Sequence, residues 1–163
     1  MANDLRYIPL DGIDRKLVVA LQKNARITNK ELAELVGLAP SSCLERLRRL
    51  RARGVVRGFH ADVDPALLGR PIQAIIGVRL RIHSRALIDD FREHLLQLPE
   101  SLAMFHVGGA DDYLVHVAVR DTEHLRNLVL DEFTARSEVE HVETRLIFEF
   151  VSKPSIEPLD EDV

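Results

Sequence analysis

Five arginines fall within eight residues of one predicted helix and make it strongly positive. They are Arg46, Arg48, Arg49, Arg51 and Arg53, and Glu45 is the acidic residue beside them. Positive side chains release counterions when they meet nucleic-acid phosphates, and the arginine fork also matches the hydrogen-bonding edge of guanine. This composition is typical of a helix that enters a DNA groove. An ordinary helical hairpin with a solvated arginine-rich face is the alternative.

The same helix has an apolar face and a polar face. At about 100° per residue, Cys43, Leu44, Leu47 and Leu50 share the inward side. The opposite side carries Ser41, Ser42, Glu45 and Arg49, with Arg46, Arg48 and Arg53 on its flanks. We expect these seven polar residues to contact DNA. Ser41, Ser42, Arg46 and Arg49 would read the major groove, and Arg48 and Arg53 would lie nearer the phosphates.

Residues 27–58 supply the elements that would position this helix. A preceding helix has Asn29 as its predicted N-cap, and Gly37 permits the positive φ that ends it. Pro40 suits the first turn of the arginine-rich helix, although Ala39 is a poor cap. With a first helix from Asp14 to Lys23, this pattern predicts a helix-turn-helix whose recognition helix comes second. Residues 55–63 are predicted to form a following strand, as in a winged helix.

Charge separates the chain into two parts. The net charge is −4, but residues 1–65 contain 12 basic and 8 acidic residues, whereas residues 66–163 contain 10 and 18. This asymmetry indicates two domains with different partners, and the acidic part should repel DNA. We predict a DNA-binding domain over 1–63, a linker over 64–72, a second domain over 73–153 and a flexible acidic tail over 154–163.

Composition excludes several classes of protein. A hydrophobic content of 46% excludes a disordered chain, and the single cysteine excludes a disulfide framework. No apolar run approaches the roughly 20 residues that span a bilayer. No signal peptide is recognisable, so we expect a cytoplasmic protein. No nucleophile elbow, P-loop or dinucleotide fingerprint occurs, and no catalytic residue is predicted.

The second domain alternates strands and helices in an informative order. Strands are predicted over 73–82, 102–107, 113–119 and 139–151, with one helix capped by Ser84 and another beginning at Asp121 or Thr122. The order β-α-β-β-α-β predicts a ferredoxin-like α+β fold. Ile75, Val115, Val117 and Ile147 would make the face of the sheet opposite the helices apolar. We therefore expect a second subunit to cover that face, giving a homodimer.

These features together resemble the Lrp/AsnC (feast/famine) transcription regulators over about residues 10–153. The N-terminal resemblance rests on short motifs that include Leu10-Asp11, Asn24-Ala25-Arg26, Glu31-Leu32-Ala33, Gly37-Leu38 and Gly54-Val55-Val56. In the second domain, residues 109–113 (GADDY) match the family's G-x-x-D-Y signature, and Val139 and Thr144 match its last strand. Two departures stand out. Ala39 replaces the usual serine cap, and Gly108 stands where a small hydroxyl residue is more frequent.

The resemblance implies a DNA-binding transcription regulator whose C-terminal RAM-type domain senses an amino acid, with dimers that assemble to tetramers or octamers. The predicted effector site comprises Gly108, Gly109, Ala110, Asp111, Asp112, Tyr113 and Thr144. The two glycines let backbone amides approach a carboxylate, as in an anion-binding nest. Asp112, or else Asp111, would pair with an α-ammonium, and Tyr113 would form an aromatic wall. The alternative is a plain hairpin turn with solvated aspartates.

Two histidines leave an enzymatic alternative open. His106 and His116 lie on neighbouring predicted strands, but a zinc site would need a further ligand, so neither metal nor cofactor is predicted. The sirohaem decarboxylases resemble the same two-domain architecture, and in them both histidines would be candidates for tetrapyrrole carboxylate contacts. The arginines of the recognition helix would then have no role. A DNA-architectural protein without an effector is a third possibility.

Overall fold

The computed structural model describes residues 9–81, 84–153 and 155–158. They form two compact units. The first draws its residues from 1–62 and 151–163, and the second comprises 63–150. No helix within these described ranges is long and apolar enough to cross a membrane.

Three helices build the first unit: α1 (Gly12–Lys23), α2 (Asn29–Val36) and α3 (Pro40–Ala52). The Asp11 carboxylate caps α1 by accepting hydrogen bonds from the amides of Ile13 and Asp14. Asn29 is not the cap of α2, contrary to the prediction, because Thr28 and Glu31 form a reciprocal capping box one residue earlier. Gly37 ends α2 with a φ of 70°, as predicted.

The helices share one apolar core, and a close turn after α3 completes it. The buried side chains are Leu17, Leu21, Leu32, Ala33, Cys43 and Leu50. Cys43 is therefore a small core residue, as predicted, and burial raises the pKa of its thiol. Gly54 adopts a φ of 74°, and the amides of Val55 and Val56 both donate to the Leu50 carbonyl. The chain thus covers the end of α3 with apolar side chains.

The strand predicted over 55–63 is wrong. Among the described residues of the first unit there is no strand, and residues 57–63 are exposed with irregular backbone. The amides of Val55 and Val56 are used to close α3, which removes the first two residues from any ladder. A single strand with no neighbour also has no hydrogen-bond partner, so the apolar pattern of this segment does not suffice to form one.

The second unit has the predicted β-α-β-β-α-β order. Its elements are β1 (Ile72–Leu80), α4 (Arg85–Gln97), β2 (Ser101–His106), β3 (Tyr113–Val119), α5 (Thr122–Leu128) and β4 (Val139–Leu146). The sheet is antiparallel with the order β2-β3-β1-β4. Ser84 caps α4 and Asp121 caps α5, as expected. A π-helical turn, Val129–Thr134, extends α5 and buries Phe133.

Strand pairing assigns side chains to the two faces of the sheet. Val115 pairs with Ile76, and Val117 pairs with Ala74; all four are fully buried in the core beneath the helices. The prediction that Val115 and Val117 line the opposite, open face is therefore wrong, because alternation along β3 turns them inward. Ile75 does lie on the open face, next to His116 on β3.

The ends of the second unit differ from their predicted bounds. Residues Pro65–Leu68 of the predicted linker form a short 3₁₀ helix. The last strand ends at Leu146 rather than at residue 151, although the Ile147 amide still donates to the Gln73 carbonyl. Leu146 pairs with Ala74, so only Gln73 and Ile72 of β1 lie beyond it, too few to extend β4 to residue 151. Of the predicted acidic tail, residues 155–158 are described and belong to the first unit.

Candidate DNA-binding and ligand-binding sites

The first half of α3 presents a polar surface to solvent. Ser41, Ser42, Glu45 and Arg49 are all exposed, as the sequence predicts. Within the described part of the chain, the Arg49 guanidinium has no hydrogen-bond or ion-pair partner. A cation that the fold does not use is available to a phosphate or to a guanine edge.

Arg46 has a different environment from its neighbours on α3. Its Nη1 donates to Asp11 Oδ2 at 2.5 Å and to Asp14 Oδ1 at 2.9 Å, and the Asp14 side chain is only 5% exposed. A backbone hydrogen bond from Asp14 and the contact with Arg46 hold the pKa of Asp11 below its ordinary value. The same contacts raise the pKa of Arg46. Arg46 thus joins α3 to the start of α1.

Two other arginines of α3 also have partners within the unit. Arg53 donates from Nη2 to the Pro9 carbonyl at 3.0 Å, which holds the segment before α1 against the end of α3. Arg48 lies 3.7 Å from Glu45, and both side chains are largely exposed, so this ion pair is weak and easily exchanged. The predicted DNA-contacting set therefore divides into residues fixed by the fold and residues free to move.

The loop between β2 and β3 carries a run of unused backbone donors. Gly109 has a φ of 135°, a conformation that favours glycine. Gly108, Gly109 and Ala110 are exposed, and their amides donate to no other described residue. Consecutive free N–H groups beside a glycine form a concavity suited to an anion.

Asp112 is fully engaged by the backbone at the end of β1. Its Oδ2 accepts from the Leu80 amide at 2.7 Å, and its own amide donates to the Val78 carbonyl at 2.8 Å. Its carbonyl accepts from Val107 at 2.9 Å. These bonds fix the loop to the sheet. The carboxylate is thus a structural acceptor in the chain as it stands.

Asp111 faces a cluster that the sequence analysis missed. Its Oδ2 lies 3.5 Å from Arg145 Nη1 on β4, and its side chain is 13% exposed. Gly77 on β1 makes room for it, because a Cβ there would lie 2.8 Å from that oxygen. Arg145 also pairs with Glu143, and Arg79 donates to the Ala110 carbonyl at 2.7 Å. No sequence motif joins these residues, since strand pairing alone brings them together.

Two residues of the predicted effector site lie away from this cluster. Tyr113 is fully buried, donates to the Ile88 carbonyl at 3.3 Å and stacks on His106, so it offers no open aromatic wall. Burial raises the pKa of its hydroxyl. Thr144 pairs with Ile76, whose side chain faces the helices, whereas Asp111 lies on the open face beside Gly77. Within one chain, Thr144 and Asp111 are on opposite sides of the sheet.

His106 and His116 do not approach one another. His106 pairs with Tyr113 and His116 pairs with Ala103, so alternation sends the two rings to opposite faces. His116 bonds to Gln73 Oε1 at 2.8 Å and packs against Phe150, and burial lowers the pKa of its imidazole. Among the described residues, no three His, Cys, Asp or Glu side chains converge as metal ligands would.

Both units match known protein families. Residues 10–57 match a winged helix-turn-helix DNA-binding family, and residues 73–155 match the Lrp/AsnC ligand binding domain. The chain is 46% identical over 146 residues to the HTH-type transcriptional regulator AldR of Mycolicibacterium smegmatis, covering 90% of this chain and 85% of that protein. It is 41% identical over 148 residues to AldR of Mycobacterium tuberculosis, covering 91% and 83%.

A solved structure supports the same relationship. The transcriptional regulator of Neisseria meningitidis, determined in complex with L-methionine, superposes with a TM-score of 0.81 at 32% identity, covering 89% of this chain and 94% of that one. A helix-turn-helix unit joined to a ligand-binding unit defines a DNA-binding transcription regulator that responds to a small molecule. The chain belongs to the Lrp/AsnC family of such regulators, which confirms the resemblance found in the sequence.

Proposed function

We propose that this regulator responds to a free amino acid bound at the β2–β3 loop, and that it binds operator DNA through the exposed face of α3. The observation that carries the proposal is the run of free amides at Gly108 to Ala110 beside the ion pair of Asp111 with Arg145. Unused N–H donors suit a carboxylate, and Asp111 suits an ammonium. The relative from Neisseria meningitidis, solved with L-methionine, supports an amino acid as the ligand class.

Asp111 is the better candidate for the ammonium contact than Asp112. The Asp112 carboxylate already accepts the Leu80 amide, and giving up that bond would leave a backbone donor without a partner. Asp111 is held by a longer contact of 3.5 Å to a half-exposed arginine. An arriving ammonium would replace that arginine at little cost. Arg145 would then be released toward the ligand carboxylate.

On the DNA side, we assign base reading to Ser41, Ser42 and Arg49, with Glu45 beside them. Their exposure on one face of α3 supports this assignment. Arg46 is given a positioning role, because its contacts with Asp11 and Asp14 orient α3 against α1. Arg48 and Arg53 remain the candidates for phosphate contacts, and Arg53 would give up its bond to the Pro9 carbonyl to make one. Phosphates are reached by flexible side chains at the edges of a recognition helix.

We further propose that the second unit dimerises through its open sheet face and that dimers assemble further. Tyr113 lies within the core, so a closed ligand pocket would need walls from another subunit, and Thr144 would join the site only from a neighbour. The proposed function includes no catalytic step. Neither a sirohaem-decarboxylase-like activity nor an effector-independent DNA-architectural role is favoured by any observation on these residues.

Mobility shifts on the DNA upstream of the protein's own gene, with and without each of the twenty amino acids, test the proposal. We expect one amino acid, or a few of related shape, to change operator affinity. Its binding to the free protein should be seen as heat in calorimetry. The Asp111→Ala variant should lose that response while binding DNA normally without ligand. Binding of no amino acid by the intact protein would contradict the effector assignment.

A further inference from the structure

A segment near the C-terminus is held by a side chain of the DNA-binding unit. Gln22 on α1 donates from Nε2 to the Ile156 carbonyl at 2.9 Å, and the Ile156 amide donates to Gln22 Oε1 at 2.8 Å. A carboxamide carries both a donor and an acceptor, so it can satisfy both backbone groups of one residue. This pairing imitates a bridge between two strands, and it recognises the backbone rather than a side chain.

The segment borders an apolar groove of about 880 Å³ in the first unit. Val18 and Leu21 of α1 form one wall, and Val55, Val56 and Phe59 form another. Ile156 and Pro158 line the groove from the segment itself. Phe59 remains 47% exposed with the segment in place, so the segment covers the apolar surface of the groove only in part.

Charge also favours docking of this C-terminal segment in the groove. Arg57 and His60 line the groove together with Glu157. The last ten residues contain four acidic and no basic side chains, whereas residues 1–65 carry a net charge of +4. An acidic peptide is therefore attracted to this unit. None of the groove-lining residues belongs to α3, so the docked segment leaves the exposed face of that helix uncovered.

We propose that residues 155–158 are a clasp of the DNA-binding unit, docked in the groove of their own chain and specified by Gln22. The chain leaves the first unit at residue 62 and returns to it at residue 151. Docking of the clasp thus adds a second, non-covalent attachment between the DNA-binding unit and the stretch of chain that follows β4. This inference does not depend on which ligand the second unit binds.

Cross-linking in the full-length protein tests the clasp. Ala25 and Glu157 both line the groove. When both are replaced by cysteine (Ala25→Cys and Glu157→Cys), a flexible bis-maleimide should join the two cysteines within one chain. Cys43 is fully buried with a raised thiol pKa, so it will not react. Adding Gln22→Ala should lower the yield at least about fivefold, because two hydrogen bonds are lost. The matched addition of Lys30→Ala, an exposed change on α2, should leave the yield unchanged.

Other outcomes would overturn the proposal. An unchanged cross-linking yield in the Gln22→Ala variant would mean that Gln22 does not specify the docking. A cross-linked product between two chains would mean that the segment docks on a neighbouring subunit. A second measurement is independent of the cysteines. Truncation after Lys153 should lower the melting temperature of the DNA-binding unit by roughly 2–5 °C. An unchanged melting temperature would show that nothing is clasped.

Discussion

At the scale of single residues, the arginines of α3 differ in whether the fold already uses them, and this difference separates a structural role from the proposed DNA contact. The sequence groups Arg46 and Arg49 as base readers because both lie near one polar face. The structure separates them: Arg46 is 25% exposed and bonded to two aspartates, whereas Arg49 is exposed and has no partner among the described residues. The aspartates lie 35 and 32 residues earlier in the chain, so no local pattern reveals the contact.

Replacing these two arginines should therefore give opposite results. Arg49→Ala should weaken operator binding by about 1–3 kcal/mol and relax base preference, with little change in stability. Arg46→Ala should lower the free energy of unfolding by about 1–3 kcal/mol, because it leaves the buried Asp14 carboxylate without its donor. Chemical denaturation and mobility shifts on operator and unrelated DNA would measure both effects. Normal stability of Arg46→Ala together with lost base preference would make Arg46 a reader.

His116 should make stability depend on pH in a predictable direction. Burial lowers its pKa in the folded state, whereas in the unfolded chain it titrates near about 6.5. Below that pH the unfolded chain binds a proton that the folded chain does not, so the free energy of unfolding falls as the pH drops. Above it both states are neutral and His116 contributes nothing. The free energy of unfolding of wild type and His116→Gln should be measured by denaturation from pH 8 to pH 5 in steps of about one unit. The difference between the two proteins separates the contribution of His116 from that of the other histidines.

At the scale of elements, the sequence predicts those structures that local chemistry controls. The bounds of β3, the Ser84 cap and the Gly37 turn are predicted correctly, because each depends on alternation, capping or backbone freedom within a few residues. The strand predicted at 55–63 fails because its existence depends on a partner. The cap at Thr28 is missed although its signal, a threonine three residues before Glu31, is present in the sequence.

The caps of α2 and α3 allow a matched pair of substitutions. Ala39 makes no side-chain hydrogen bond at the start of α3, so Ala39→Ser should raise the free energy of unfolding by about 0.5–1 kcal/mol. Thr28→Ala removes a capping box and should lower it by about 0.5–2 kcal/mol. Thermal melting of the two variants against wild type measures both changes. A neutral Ala39→Ser would indicate that water already satisfies the first amides of α3.

At the scale of the whole molecule, the sequence shows the loop of the proposed ligand site but not the residues that lie opposite it. Loop residues 108–112 are contiguous, so their glycines and aspartates can be recognised as one motif in the sequence. Arg145 and Gly77 belong to other strands, and they meet Asp111 only because β1 lies between β3 and β4. The role of Asp112 is hidden for the same reason, since its acceptor function needs the Leu80 amide at the end of β1. Sites assembled by register cannot be derived from spacing along the chain.

The open sheet face should hold two subunits together, and one substitution there should separate them. Phe105 pairs with Leu114 on β3, is 53% exposed and shares that face with Ile75. A charge at this position would be buried without a partner in the proposed dimer, so Phe105→Glu should yield monomers at micromolar concentration in sedimentation velocity. Leu130→Glu is the matched control, because Leu130 is 44% exposed in the π-helical turn beside α5. The monomer should also lose most operator affinity, since a two-fold dimer places its recognition helices about 34 Å apart for successive major grooves. Sedimentation of the wild-type protein as a monomer would contradict both the proposed interface and the expectation of paired half-sites.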